Sequence, residues 1–380
     1  MKWTYWLLIM IGLGVFPLAS VAQQTINGTI THDGMQRSYI LYLPKSYAGN
    51  VPFPLVFNFH GYTSNAQAQM NYGDFRPVAD TGNFLVVHPQ GTLFNGNTHW
   101  NVGGWTLGSQ TDDVDFTRVL IDSLSANYNI DMDRVYATGM SNGGFLSYLL
   151  GCQLSSKIAA VASVTGSMTP QTFSPCNPGH PMPSLQIHGT IDDVIPYGGN
   201  SFSRSIEDVI EYWANVNNCD PTPIKTLMPE VNTVDFSRVE RYVYANGDRG
   251  ATSEHFKVIG GAHTWPGTAF PSMGTNYDIN ASVEIWKFFS RYDLQGLRNT
   301  VSNDPQVDQM SYSIAPNPVL GELYISGPGE IQEMVYIYDI FGRMVIQENM
   351  WSQKQQVNVA SLPSGTYYLK IAGQTLPFIK

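Results

Sequence analysis

The sequence predicts an α/β domain, a mostly parallel sheet with helices on both faces, followed by a small all-β sandwich. Three observations predict it. Apolar runs closed by glycine or proline alternate with helical periods through the larger N-terminal part. A polar stretch without sustained period begins at Leu294. Beyond it, only short runs of period two remain.

The elements follow in order. RSYILYLP (37–44) alternates like a strand and stops at Pro44. PLVFNFHG (54–61) and NFLVVHPQG (83–91) are continuous apolar runs, as expected of strands buried on both faces. Phe116, Leu120 and Leu124 recur at i, i+4 and i+8, a helix with Asp112 or Asp113 near its positive end. A strand at RVYATG (134–139), a helix from about Gly143 to Leu150 and a strand at IAAVASV (158–164) come next. SLQIHGT (184–190) is a further buried strand, with a helix near 203–217. Strands at RVERYVY (238–244) and HFKVIGG (255–261) precede a helix near 278–290. In the tail, LYISG, MVYIYDI, RMVIQE, QVNVA and GTYYLKIAG read as short strands, with Tyr336 and Tyr338 alternating with Val335 and Ile337. The predicted boundaries are 1–22 for a leader, 23–293 for the α/β domain, 294–310 for a linker and 311–380 for the sandwich.

The leader reads as a signal peptide: Lys2, an apolar segment from Leu7 to Val15, and Ser20-Val21-Ala22 as cleavage site. Its apolar run is short for a membrane span, and no later stretch is apolar enough, so no span is expected in the mature chain. The net charge is −10, and residues 311–380, with 4 Lys/Arg and 5 Asp/Glu, carry little of it. That sign disfavours nucleic acid, whose phosphates require basic patches. The 3 cysteines, Cys152, Cys176 and Cys219, permit one disulfide and one thiol in an oxidising compartment, and they lack metal-ligand spacing. No metal or organic cofactor is expected.

Ser141 lies in Gly139-Met140-Ser141-Asn142-Gly143, between a predicted strand and a predicted helix. That is where a nucleophile elbow must lie, because the sharp turn lifts Oγ above the sheet. A serine hydroxyl needs a base, and the base needs an orienting carboxylate. The order in α/β-hydrolases is Ser, then Asp or Glu, then His, each on a loop after a strand. TIDDVIPY offers Asp192 and Asp193, and AHTWPG offers His263. The backbone N–H of Asn142 is one expected oxyanion donor, and that of Tyr62, after His60-Gly61, is the other. His60 reads as a supporting loop residue, and His188 and His255 as structural. The loop 91–110 holds Trp100 and Trp105, and Trp265 adjoins His263. At least one of these tryptophans is expected to line the acyl or sugar site, the alternative being that they clamp the loop.

Together RSYILYLP, FHGY, DDVDFTRVLIDSL, RVYATGMSNGG, IHGTIDDVIPY and GGAHTWPG resemble the secreted esterase family that joins feruloyl and acetylxylan esterases (carbohydrate esterase family one) with polyhydroxybutyrate depolymerases. They span roughly residues 34 to 290 in order. The resemblance implies an α/β-hydrolase fold, ester hydrolysis through an acyl-enzyme, and Asp192 as the carboxylate, with Asp193 as fallback. It implies a cap or a loop tie for Asp113. Family members often pair a cysteine like Cys219 with a later one; this chain has none after Cys219, so that bridge is absent. Cys152 with Cys176 remains a candidate bridge, against the reading of two buried thiols.

The tail SIAPNPVLGELYIS…VYIYDIFGRMV…VNVASLPSGTYYLKI resembles the type A C-terminal sorting domain of the type IX secretion system. That implies passage through the periplasm by that machinery, then secretion or cell-surface attachment. A carbohydrate-binding sandwich is the rival reading of the tail. Three functions are therefore weighed: a feruloyl or acetylxylan esterase on plant polysaccharide, a polyhydroxybutyrate-type polyester depolymerase, and a non-catalytic surface adhesin. An intact Ser, Asp, His set argues against the last, since a pure binder has no need of it.

Overall fold

The computed structural model describes residues 23–298, 313–326, 333–339, 343–350, 354–371 and 374–380. The leader and most of the expected linker lie outside them. The chain divides into two compact units, residues 1–298 and 299–380.

Among the described residues, twelve strands and seven α-helices, besides a two-residue strand pair at its end, carry the first unit. The strands are β1 (Gln24–His32), β2 (Met35–Leu43), β3 (Phe53–Phe59), β4 (Leu85–Pro89), β5 (Thr92–Phe94), β6 (Asn97–His99), β7 (Ile130–Met140), β8 (Ala160–Val164), β9 (Ser184–Gly189), β10 (Ile224–Leu227), β11 (Arg238–Tyr244) and β12 (Ser253–Ile259). The helices are α1 (Ala66–Tyr72), α2 (Arg76–Gly82), α3 (Asp113–Asn127), α4 (Asn142–Gln153), α5 (Pro170–Phe173), α6 (Ile206–Val216) and α7 (Ala281–Phe289). Ten strands form one sheet in the order β1-β2-β4-β3-β7-β8-β9-β12-β11-β10, with β5 and β6 as a separate hairpin. The pairs from β4 through β3, β7, β8 and β9 to β12 are parallel. The pairs on both outer flanks are antiparallel. This is the α/β-hydrolase arrangement.

Strand periodicity divides the core in two. In β3, Leu55, Phe57 and Phe59 join one cluster with Phe116, Leu120 and Leu124 of α3 and Leu146 of α4. Val56 points the other way, with Val86, Tyr136, Ala162 and Ile285 of α7. Helix α4 is buried from Asn142 to Cys152, which fits its nearly uninterrupted apolar and small residues.

Some elements were not legible in the sequence. Strand β1 is an edge strand with a mostly exposed face and Gly28 inside it, so QTINGTITH carries no apolar alternation. Helices α1 and α2 have 7 residues each, about two turns, too few for a period to emerge from AQAQMNY and RPVADTG. Residues 294–298, expected to open the linker, instead belong to the first unit. Gly296–Leu297 pairs with Tyr292–Asp293, and the Leu294 N–H donates to the Asp133 carbonyl at 2.9 Å.

In the second unit, Ser313–Ala315, Glu322–Ser326 and Lys354–Asn358 form a three-stranded sheet. Met344–Met350, Glu333–Asp339, Thr366–Ile371 and Gln374–Ile379 form a four-stranded one. Val335 and Ile337 are buried with Leu323, Val357 and Leu369, while Tyr336 and Tyr338 point away from that core. Among the described residues, no helix is long and apolar enough to cross a membrane.

Candidate active site

The site is built at the carboxyl ends of β3, β7, β9 and β12, where an open parallel sheet exposes its loops. Ser141 follows β7 and immediately precedes α4 with φ 53° and ψ −120°, a backbone conformation that a non-glycine residue holds only under constraint. The constraint is visible: the Ser141 N–H donates to the Val164 carbonyl at 2.8 Å and its carbonyl accepts from the Phe145 N–H at 3.0 Å. A Cβ on Gly143 would collide with the Phe59 carbonyl, so the close crossing of α4 over β3 requires glycine there. Asn142 occupies the first helical position, whose N–H has no intrahelical partner.

Asp192 follows β9 and is buried. Its Oδ1 accepts the N–H groups of Val194 and Ile195 at 3.0 and 2.8 Å. Its Oδ2 lies 2.8 Å from Nδ1 of His263, on the loop after β12. A carboxylate only accepts, so this contact places the His263 proton on Nδ1 and leaves Nε2 as the basic nitrogen. Asp193, the fallback, is exposed.

A buried relay stands behind the acid. Tyr148 donates to Gln186 Oε1 at 2.6 Å, and Gln186 Nε2 donates to His188 Nδ1 at 3.0 Å. His188 Nε2 then donates to the Ile195 carbonyl at 2.8 Å and lies 3.4 Å from Asp192 Oδ2. Burial pushes the His188 imidazole down to about 4, so at neutral pH this is a contact of a neutral ring with a carboxylate. His188 and His255 are both fully packed. His255 receives a hydrogen bond at Nε2 from Tyr197, and its Nδ1–H donates to the Gln186 carbonyl.

His60 ties down the loop that carries Tyr62. Its Nδ1–H donates to the Gly61 carbonyl at 2.7 Å and its Nε2 accepts the Gly91 N–H at 2.9 Å. Burial holds its imidazole down to about 4. Asp112 caps α3 by accepting the Asp115 N–H. Asp113 ties a loop: one oxygen accepts Arg37 Nη2 at 2.8 Å, the other the Asn101 N–H at 2.8 Å.

A cavity of about 470 Å³ joins these parts. Ser141, His263, Gly61 and Tyr62 line it together with Met140, Tyr72 and Phe270. Tyr72 and Phe270 were missed in the sequence. Tyr72 ends a helix too short to read, and Phe270 sits in a Pro/Gly loop whose only signal was an isolated aromatic.

None of the three tryptophans expected at the substrate lines the cavity at Ser141, while Trp265 borders an adjoining one. Trp100 has no exposed surface and packs edge-on to Phe59 with centroids 5.2 Å apart, its Nε1 donating to the His60 carbonyl. Trp105 packs edge-on to Phe145 at 5.0 Å. Trp265, only 1% exposed, meets Phe75 and donates to Ser282 Oγ at 3.2 Å. Trp100 clamps the loop itself, as the alternative had it. Cys152 and Cys176 are joined in a disulfide, and Cys219 is free.

Residues 37–179 match the family model described as Esterase PHB depolymerase, and residues 313–380 match the Secretion system C-terminal sorting domain. The chain is thus similar to this esterase family over one segment and to the sorting domain over its tail. The sorting-domain match supports secretion or attachment at the cell surface. The chain is 29% identical over 274 residues to a bifunctional acetylxylan esterase/xylanase of Neocallimastix patriciarum, covering 72% of this chain and 36% of that protein. To feruloyl esterase D of Neurospora crassa it is 27% identical over 282 residues, 71% of this chain and 86% of the relative. The chain thus spans about a third of the first relative and most of the second. Its fold is shared with an acetyl xylan esterase from Aspergillus awamori at a TM-score of 0.52 and 14% identity, over 70% of this chain and 99% of that one.

Proposed function

We propose that this esterase-domain protein is a secreted serine carboxylesterase. The observation that carries the reading is the Asp192–His263 hydrogen bond of 2.8 Å, ending at the cavity that Ser141 and Tyr62 also line. In this reading Ser141 Oγ attacks the ester carbonyl while His263 Nε2 takes its proton. Asp192 holds the imidazole tautomer and stabilises the imidazolium. The N–H groups of Tyr62 and Asn142 hold the tetrahedral oxyanion. The alcohol leaves, protonated by His263, and water attacks the acyl-enzyme with His263 again as base. Among the described residues no hydrogen bond joins Ser141 Oγ to His263; such bonds commonly tighten only with substrate bound.

The substrate reading is an acetyl or feruloyl ester on plant cell-wall xylan, supported by the relatives named above and by the surface-export tail. The export partner in this reading is the type IX machinery. A second reading, a polyester depolymerase, is favoured by one observation: Phe236 and Met273 are 91% and 93% exposed, on loops packed against the His263 loop. Exposed apolar side chains of that kind suit contact with a solid polyester.

A serine-directed fluorophosphonate tests the chemistry. Labelling of the wild type, none of Ser141→Ala, and loss of p-nitrophenyl acetate turnover in that variant with its fold intact are expected. Undiminished turnover by Ser141→Ala would sink the assignment. Rates on methyl ferulate, acetylated xylan and polyhydroxybutyrate film then rank the substrates.

A further inference from the structure

An ester has two arms, and the cavity at Ser141 is not alone. A second cavity of about 300 Å³ adjoins it, and Asn71, Tyr72 and Phe270 form walls of both. The two differ in chemistry. Around Ser141, Ala68, Met140, Tyr62 and Phe270 present mostly carbon. The second cavity is lined by Asp74 and Arg76, together with Thr268, Asn280 and Trp265.

Asp74 and Arg76 form a two-pronged pair, Nε to Oδ1 at 2.9 Å and Nη2 to Oδ2 at 2.8 Å, each about one-third exposed. The pair fixes the orientation of both groups without exhausting them. Asp74 Oδ1 accepts both the Arg76 backbone N–H and Nε, so Oδ2 keeps the free lone pair, and the guanidinium has five N–H donors of which the pair uses two. Donors and acceptors therefore stand side by side at a fixed spacing, beside the aromatic rings of Tyr72 and Phe270, the latter 55% exposed.

We infer that the second cavity is the subsite for the alcohol half of the ester, and that this half is a sugar chain. Its hydroxyls satisfy Asp74 and Arg76, and its carbon-bound faces lie on Phe270 and Tyr72. A hydroxyalkanoate chain has no hydroxyls to offer along its length. Its ester carbonyls accept from Arg76, but it has no donor for Asp74, so seating it there dries a carboxylate without replacing its hydrogen bonds, which costs free energy. The second cavity thus favours polysaccharide over polyester at this site. The inference rests on the esterase reading for the direction of the two arms.

The test compares two esters with the same acyl group: an acetylated xylo-oligosaccharide and p-nitrophenyl acetate. Two variants alter the second cavity differently. Asp74→Ala/Arg76→Ala removes both charges at once, so that neither is left unpaired, and Ala269→Trp fills the space from an exposed wall position. Near-ultraviolet circular dichroism checks the fold of each. In both, the ratio of kcat/KM on the oligosaccharide to that on p-nitrophenyl acetate should fall about tenfold. A ratio within about twofold of wild type in both variants overturns the subsite while leaving the esterase reading intact. Calorimetric titration with unesterified xylohexaose separates the two claims. Binding that is lost in both variants, from a protein that hydrolyses neither ester, keeps the sugar subsite and removes the esterase. A larger loss on polyhydroxybutyrate film than on the oligosaccharide also overturns the inference.

Discussion

Asn142 grips Trp100 with two hydrogen bonds: its Oδ1 accepts the Trp100 N–H at 2.7 Å, and its Nδ2 donates to the Trp100 carbonyl at 3.0 Å. The residue that follows the candidate nucleophile thus holds the long loop 91–110 in place with its side chain. Its backbone N–H, at the first helical position, stays free to serve as the proposed oxyanion donor. Both residues are fully buried, so nothing else can satisfy those four polar groups cheaply.

Asn142→Ala keeps the backbone N–H but strands two buried groups of Trp100. A loss of about 2–4 kcal/mol in unfolding free energy is expected, measured by urea denaturation, with faster amide exchange around residues 98–104. Asn142→Asp should be worse, because a carboxylate would face the Trp100 carbonyl. Unchanged stability of both variants would remove the clamp.

The choice between two adjacent aspartates is sharp. Asp192→Asn should lower kcat on p-nitrophenyl acetate by about 10³–10⁴-fold, because the amide no longer holds the His263 tautomer. Asp193→Asn should stay within about twofold, since its side chain is exposed to solvent. The reverse result assigns the acid to Asp193.

Four buried histidines set an acid limit on stability. Burial lowers His60 and His188 to about 4, and His88 and His255 to about 3, from an ordinary value of 6.5. The folded state keeps them neutral, while the unfolded chain protonates them below pH 6.5. The unfolded state therefore binds more protons, and stability is lost as pH falls from about 6.5 toward 4. The slope approaches about 5 kcal/mol per pH unit near pH 5 if all four act together. Tm should fall steeply between pH 7 and 5; a flat profile would show that these rings are not excluded from water.

The Cys152–Cys176 bridge spans 24 positions between α4 and the segment after α5. Replacing both cysteines by alanine should cost about 3 kcal/mol. Thiol titration of the unreduced, denatured protein should count one group, Cys219. Three groups would mean the bridge does not form in the secreted protein.

Much of the site was legible because its signals are local. The glycines at 139 and 143, the strand before Ser141 and the helix after it are features of one short segment. The order Ser141, Asp192, His263 follows from strands that announce themselves as apolar runs ending in loops. The sheet and its helices were readable for the same reason. The parts not readable depend on contacts between distant segments. Trp100 and Trp265 read either as substrate-site aromatics or as loop clamps. Asn142 draws Trp100 inward from 42 positions away, and Phe75 and Ser282 enclose Trp265. The cavity walls from Tyr72 and Phe270 likewise meet only because α1 and the 266–275 loop pack over the same strand ends. Periodicity encodes which residues are apolar and which face they share. Which way a loop aromatic turns is set by hydrogen bonds and packing with partners far along the chain, and no local pattern carries that information.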